Sequence, residues 1–230
     1  MAKRVALLAP MKPELKPLVR KLSLQRDGDV HMGRAGDVDV IATLIGIGVR
    51  AATTATEQLL AATEIDRVIV VGIAGGVGDG LEIGDVVVPE RVVDHTTGAE
   101  YRPAPLHGPD AHGALLTTDG LIVDNATIAE HVGRGVVALD MEASAVAEVC
   151  ERRGCAWSVV RAISDRPRDG MVDQAVFGLA GPDGSANLGA VARFVATKPS
   201  RVRDLARLAR DMNTATNAAA DAAIAALAHV

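Results

Sequence analysis

The chain has 230 residues, 49% of them apolar and 23% charged, with a net charge of −5; at that size it can bury roughly 70% of its unfolded surface in one large domain, and wholesale disorder is excluded. A pI near 5.7 excludes a general nucleic-acid surface, which needs clustered Lys and Arg. Aromatic residues make up only 2%, so Val, Ala, Leu and Ile must fill the core, and a ligand can stack only on Trp157, Tyr101, Phe177 or Phe194.

The N-terminal MAKRVALLAPMKPE has an apolar stretch too short for a signal peptide, and no run reaches the roughly 18 apolar residues of a membrane span. A cytoplasmic protein with a small-molecule partner is the expectation. Arg4 to Ala9 reads as a buried strand, followed by a Pro-bearing turn and a helix from about Pro13 to Leu22. Val38 to Ile45 is the next strand. Gly46-Ile47-Gly48 then opens a helix over Val49 to Ala62. Arg67 to Gly72 is a β-branched run suited to a strand covered on both faces. The glycines Gly72, Gly75 and Gly76 read as a turn or packing element after it, and Asp85 to Pro89 as a short strand. Leu115 to Val123 suggests a turn-flanked strand pair. Val136 to Leu139 leads into a helix that Gly154 should terminate, and Trp157 to Ile163 is a last strong strand. From about Leu188 the chain is helical, broken at Pro199 and alanine-rich beyond about residue 200. No repeat or linker divides two cores, so residues 1–230 form one domain of the α/β class with strands of mixed direction.

Few residues stand out as chemistry. Neither glycine cluster matches the dinucleotide fingerprint or the lysine-bearing phosphate loop. Cys150 and Cys155 lack a CxxC spacing and read as small buried thiols, and the scattered histidines His31, His95, His107, His112 and His131 read as exposed loop residues that offer no metal site. The arginines 201, 203, 207 and 210, interleaved with Leu205, Leu208 and Met212, fit the wet face of an amphipathic helix. Two acidic positions remain. Asp165 follows a buried strand at the carboxyl edge of the sheet, where open α/β sheets bind ligands, but it equally suits a turn or N-cap before Pro167. Asp140 and Glu142 bracket Met141 at a helix start, where acids are stabilised by the dipole; alternation puts at most one of them toward a ligand.

ALDMEASAVAEVCERRGCAWSVVRAISD, residues 138–165, resembles the nucleoside phosphorylase and nucleosidase superfamily, whose members carry V-E-M-E-A at a helix start and R-A-I-S-D after the following strand. APMKPELKPL, TLIGIGVRAA, VVGIAGGVGDGLEIGDVVVP and LLTTDGLI resemble further segments in family order, so that the likeness covers residues 4 to about 166. The subgroup most similar is the 5′-methylthioadenosine/S-adenosylhomocysteine nucleosidases. The resemblance implies a three-layer α/β/α sandwich on a mixed, twisted sheet, no cofactor and no metal, and a homo-oligomer of two or more chains. It also implies a purine nucleosidase that splits the N-glycosidic bond of a 5′-substituted adenosine into adenine and a free pentose derivative.

Carried over residue by residue, the resemblance makes Asp165 the proton donor to N7 of the purine, Glu14 the general base on the attacking water and Arg161 the group that orients that water. Glu142 would hold ribose hydroxyls, Met141 would pack on the sugar, and Ala74, Gly75, Leu121 and Ile122 would line base and ribose. Asp140, in place of the family's first glutamate, would be a helix-start acid outside the site. Leu121 stands where the nucleosidases commonly have a phenylalanine, and Ile73 where many have a hydroxyl residue. After Asp165 the sequence lacks their usual lid and final helix and is more similar to hopanoid-linked nucleosidases. The residue types suit the reaction, since cleavage leaves positive charge on the ribose and negative charge on the base. A phosphorylase of the same fold would need cations for phosphate, for which Arg50 is the candidate. A non-catalytic nucleoside-binding protein would not require a proton donor facing the base.

Overall fold

Arg4–Ala9 (β1) shows why this sequence builds its sheet from the middle outward: every residue after Arg4 is buried, so the strand has no wet face and must be covered on both sides. The computed structural model describes residues 3–108, 110–170, 174–179, 181, 183–185 and 187–229. After β1 come a helix, Lys12–Lys21 (α1), and three strands, Gln25–Asp27 (β2), Val30–Ala35 (β3) and Val38–Leu44 (β4). Val49–Ala62 (α2) leads into the long strand Arg67–Gly76 (β5), and Val86–Val87 (β6), Arg91–Asp94 (β7), Glu100–Tyr101 (β8) and Ala114–Thr117 (β9) follow. Asn125–Gly133 (α3), Val136–Asp140 (β10), Ala143–Arg153 (α4) and Ala156–Asp165 (β11) complete the part that carries the motifs. Gln174–Phe177 (α5), Leu188–Thr197 (α6) and the long Val202–Leu227 (α7) close the chain.

The strands form one mixed sheet in the order β2-β3-β4-β1-β5-β10-β9-β7-β8, with β11 joined to β5 and β6. β1, β4, β5 and β11 run parallel to their neighbours in this group, and β10 meets the end of β5 antiparallel. Successive side chains of β1 and β5 enter opposite cores. Ala6, Leu8, Val68 and Val70 pack with α2 and α4, whereas Val5, Leu7, Ile69 and Val71 pack with α1 and α7. This is the expected α/β/α layering. A fully buried leucine such as Leu7 or Leu8 contributes about 1.5–3 kcal/mol. With so few rings, close approach replaces bulk: Ala215, Ala219, Ala220 and Ala223 of α7 are wholly buried against the sheet.

Three expectations are settled or changed by the structure for identifiable reasons. Of the turn and packing readings of the glycines after Gly72, the structure keeps the packing one, because β5 stays extended through Gly76. They are there for clearance. A Cβ on Gly72 would stand 2.2 Å from Glu14 Oε1 and 2.5 Å from Arg161 Nη1, so two charged side chains cross directly over this α-carbon. Gly72→Ala is therefore expected to cost about 1–3 kcal/mol through overpacking, read as a lower urea midpoint at unchanged m-value; an unmoved midpoint would show that the space is free. Second, the strand pair over Leu115 to Val123 is only the four-residue β9. Thr118 Oγ1 donates to Gly120 O at 2.8 Å and closes a turn there. Asp124 then caps α3, accepting from Thr127 N at 2.8 Å, a capping signal the hydrophobic pattern concealed. Third, His131 is buried in α3 with its ring edge-on to His95, rather than exposed in a loop.

Candidate active site

The carboxyl ends of β1, β5 and β11 lie side by side, and the chain leaves each of them carrying a carboxylate or a glycine. Glu14 is in the first turn of α1, where its Oε2 accepts from Met11 N at 2.7 Å and its Oε1 from Ile73 N at 2.8 Å on β5. The two backbone donors tie the helix start to the sheet. Glu142 stands at the N-cap of α4 and accepts from Gly48 N at 2.9 Å, so the Gly46-Ile47-Gly48 turn, which seemed functionless, aims this carboxylate. Gly48 has φ +90°, open to glycine but strained for other residues. Asp165 ends β11 opposite Gly75, after a register shift at Ile163. That bulge turns its carboxyl out of the ladder's alternation.

These residues meet in one pocket of about 210 Å³. Glu14, Ala74, Gly75, Leu121, Ile122, Met141, Glu142 and Asp165 all line it. Arg161 does not; it is wholly buried behind the wall. Its Nη2 donates to Asp140 Oδ2 at 2.5 Å and to Glu142 Oε2 at 3.2 Å, while its Nη1 lies 3.9 Å from Glu14 Oε1. Nη1 and Nε have no hydrogen-bond partner among the described protein groups. A separation of 3.9 Å is too long for a direct hydrogen bond and leaves the two groups as an ion pair.

Asp140 is therefore part of the site, contrary to expectation, and both acids around Met141 converge on one guanidinium. The alternation argument failed because Asp140 is the last residue of β10 and Glu142 already caps α4, with a bend between them. Other lining residues gave no sequence signal of their own: Pro10, Met11, Ile47 and Thr118, and from α7 Leu208 and Met212. Leu208 and Met212 repeat at helical spacing, and the amphipathic pattern located that face without saying what it covers.

Burial decides the protonation chemistry. Desolvation raises the Glu14 pKa to about 8, against the lowering effect of Arg161, and raises Glu142 to about 7 in the same way. Desolvation also raises Asp165, opposed by the hydrogen bond that its Oδ1 accepts from Ser164 Oγ at 2.6 Å and aided by Asp169. Burial works against the Arg161 charge, yet Asp140, Glu142 and Glu14 together hold its pKa above the ordinary value. Among the described residues no lysine or arginine lines the pocket, and Arg50 is exposed outside it. Among the described residues no cluster of His, Cys, Asp and Glu could hold a metal ion, and no helix is long and apolar enough to cross a membrane.

A 5′-methylthioadenosine/S-adenosylhomocysteine nucleosidase of Chromohalobacter salexigens is 32% identical over 198 residues, covering 71% of this chain and 84% of that protein. Among solved structures, the Helicobacter pylori 5′-methylthioadenosine/S-adenosylhomocysteine nucleosidase in complex with a substituted pyrrolidin-3-ol superposes with a TM-score of 0.75 at 16% identity, over 100% of this chain and 99% of that one. The native futalosine hydrolase of Helicobacter pylori superposes equally well, with a TM-score of 0.75 at 17% identity over 100% and 99% of the two chains. The model of the phosphorylase superfamily matches residues 4–111 and 104–197, and the chain belongs to that superfamily.

Proposed function

We propose that the protein is a purine nucleosidase that hydrolyses the N-glycosidic bond of a 5′-substituted adenosine, releasing adenine and a free pentose derivative. The observation that carries the reading is the charge pattern of the pocket: three carboxyl groups surround Arg161, a fourth, Asp165, lines the same pocket, and among the described residues no lysine or arginine lines it. Asp165, protonated, gives its proton to N7 as the C1′–N9 bond breaks and the electron pair goes to the base. Water between Glu14 Oε1 and Arg161 Nη1 attacks C1′ and gives its proton to Glu14. Glu142 holds the ribose hydroxyls and, with Glu14, faces the positive charge that develops on the sugar. Met141 and Ala74, Gly75, Leu121 and Ile122 enclose sugar and base. The relatives' names, nucleosidases acting on methylthioadenosine and adenosylhomocysteine, support this substrate class. The same reading takes the enzyme as a cytoplasmic homo-oligomer of two or more chains.

Phosphate is a poor nucleophile for this pocket. Each carboxyl group, once ionised, would repel a unit of phosphate charge at about 4 Å by roughly 4 kcal/mol at an effective dielectric of about 20. In phosphate-free buffer the enzyme should release adenine and free methylthioribose from methylthioadenosine, and added phosphate should leave the rate unchanged. Strict phosphate dependence, with a pentose 1-phosphate as product, would make the protein a phosphorylase on the same fold.

A further inference from the structure

Behind the pocket wall runs a chain of hydrogen bonds that the hydrolytic scheme does not use. Asp140 is held by three donors: Arg161 Nη2 and Ala143 N at 2.5 and 3.0 Å on Oδ2, and Thr117 Oγ1 at 2.7 Å on Oδ1. The Thr117 hydroxyl has one proton, and its direction is set, because Ser144 N donates to the same oxygen at 2.9 Å. Ser144 Oγ in turn donates to Asp94 Oδ2 at 2.8 Å. Asp94 Oδ1 is fixed by Thr96 N at 3.0 Å, Thr97 N at 2.8 Å and Thr97 Oγ1 at 2.9 Å. Thr117 and Ser144 are both 1% exposed. Thr117 does not line the pocket.

The consequence lies in which oxygen takes the guanidinium. Arg161 Nη2 is 2.5 Å from Asp140 but 3.2 Å from Glu142. Asp140, locked by Thr117 and the start of α4, is the firm anchor, and Glu142 Oε2 is only loosely engaged and open to a ligand. The same anchor directs Nη1 toward Glu14 and leaves it unpartnered. An arginine fork held on one prong presents the other at a defined place.

We propose that Thr117, acting through Asp140 and braced by Ser144 and Asp94, is a positioning residue that sets Arg161 so that its free Nη1 faces the nucleophile beside Glu14. This rests on the nucleosidase reading. Small displacements at such a position are costly, since a misplacement of about 1 Å can lower a rate on the order of 10²-fold.

The test compares Thr117→Val, which keeps the shape but removes the hydroxyl, with Thr117→Ser, which restores it. Rates are normalised to folded protein and followed against pH with methylthioadenosine as substrate. Thr117→Val should lower kcat by about tenfold or more at near-constant KM, and Thr117→Ser should stay within about threefold of the parent on the same geometric argument. The pH profile separates positioning from mere destabilisation. Arg161 faces Glu14, Glu142 and Asp140, and its pull lowers the Glu14 and Glu142 pKa values against burial. An Arg161 that has drifted should therefore move the ascending limb of the profile to higher pH, whereas loss of folded protein leaves the limb in place. Thr117→Ala, which removes the same hydroxyl without changing any charge beside Glu14, Glu142 or Arg161, should move the limb in the same direction, which keeps the test open if Thr117→Val does not fold. An unmoved limb in the folded variants, or equal defects in the Val and Ser variants, overturns the proposal while the parent's activity still stands; a parent that releases no adenine overturns the nucleosidase reading and this inference together.

Discussion

Asp165→Asn is expected to lower base release by at least about 10²-fold, close to 3 kcal/mol of barrier, with the fold intact. Asparagine keeps the shape and can still accept the hydrogen bond that Ser164 Oγ donates at 2.6 Å to the parent carboxyl. It cannot deliver a proton. The parent can, because desolvation raises the Asp165 pKa and the nearby Asp169 adds to that effect. The loss should fall on kcat, since the adenine leaving group needs the proton only as the bond breaks. A riboside whose leaving group is already a good anion, such as 4-nitrophenolate, should lose far less in the variant. The descending limb of the parent's pH profile, where Asp165 gives up its proton, should disappear with the residue. Methylthioadenosine turnover within threefold of the parent would remove Asp165 from the mechanism.

The sequence made the scaffold legible wherever one signal dominated. β1, β4, α2 and β11 are long apolar or periodic runs, and the structure places them within a residue or two of expectation. Gly154 has φ +68° at the end of α4, the left-handed C-cap that its position suggested. The misses arise where two demands meet in one residue. Gly72 and Gly76 suit a turn or a packing element equally in a local reading, and only the folded chain decides for packing, with Glu14, Arg161 and Ile163 filling the space their missing side chains leave. Asp140 looked like a helix-start acid, which it is in part, since it accepts from Ala143 N; its second task requires Arg161, 21 residues away in sequence. The buried partners Thr117 and Ser144 carried no signal, because a small hydroxyl residue suits loops, strands and helix starts alike. The residues that motif resemblance named, Arg161 apart, line one pocket, yet the carboxylate cluster around Arg161 was visible only in three dimensions.

Glu14→Gln is expected to remove at least about 10²-fold of kcat, and its effect on pH dependence is the sharper prediction. With a pKa of about 8, Glu14 in the free enzyme still holds its proton through most of the neutral range. A general base must be ionised, so kcat/KM of the parent should climb with pH toward about 8, as Glu14 loses its proton, with Glu142 contributing an earlier rise near 7. The residual activity of Glu14→Gln should keep only that earlier rise. Stability runs the opposite way. Between the ordinary value of 4.5 and the folded value of about 8 the native state holds a proton on Glu14 that the unfolded chain has released. The unfolding free energy must then fall as pH rises through that window, because the unfolded state binds fewer protons. Glu142 and Asp165, also raised by burial, add to the same slope. Urea titrations at several pH values should therefore show the parent losing stability from about pH 4.5 toward 8 more steeply than Glu14→Gln. Glutamine has one acceptor oxygen for the two donors Met11 N and Ile73 N, which lie 2.7 and 2.8 Å from the parent carboxyl oxygens, so the variant starts from a lower stability; the slope, which does not depend on that offset, carries the test. Equal slopes in parent and variant, or an ascending limb unchanged by the substitution, would show that Glu14 is ionised well below neutrality and that another group takes the proton from water.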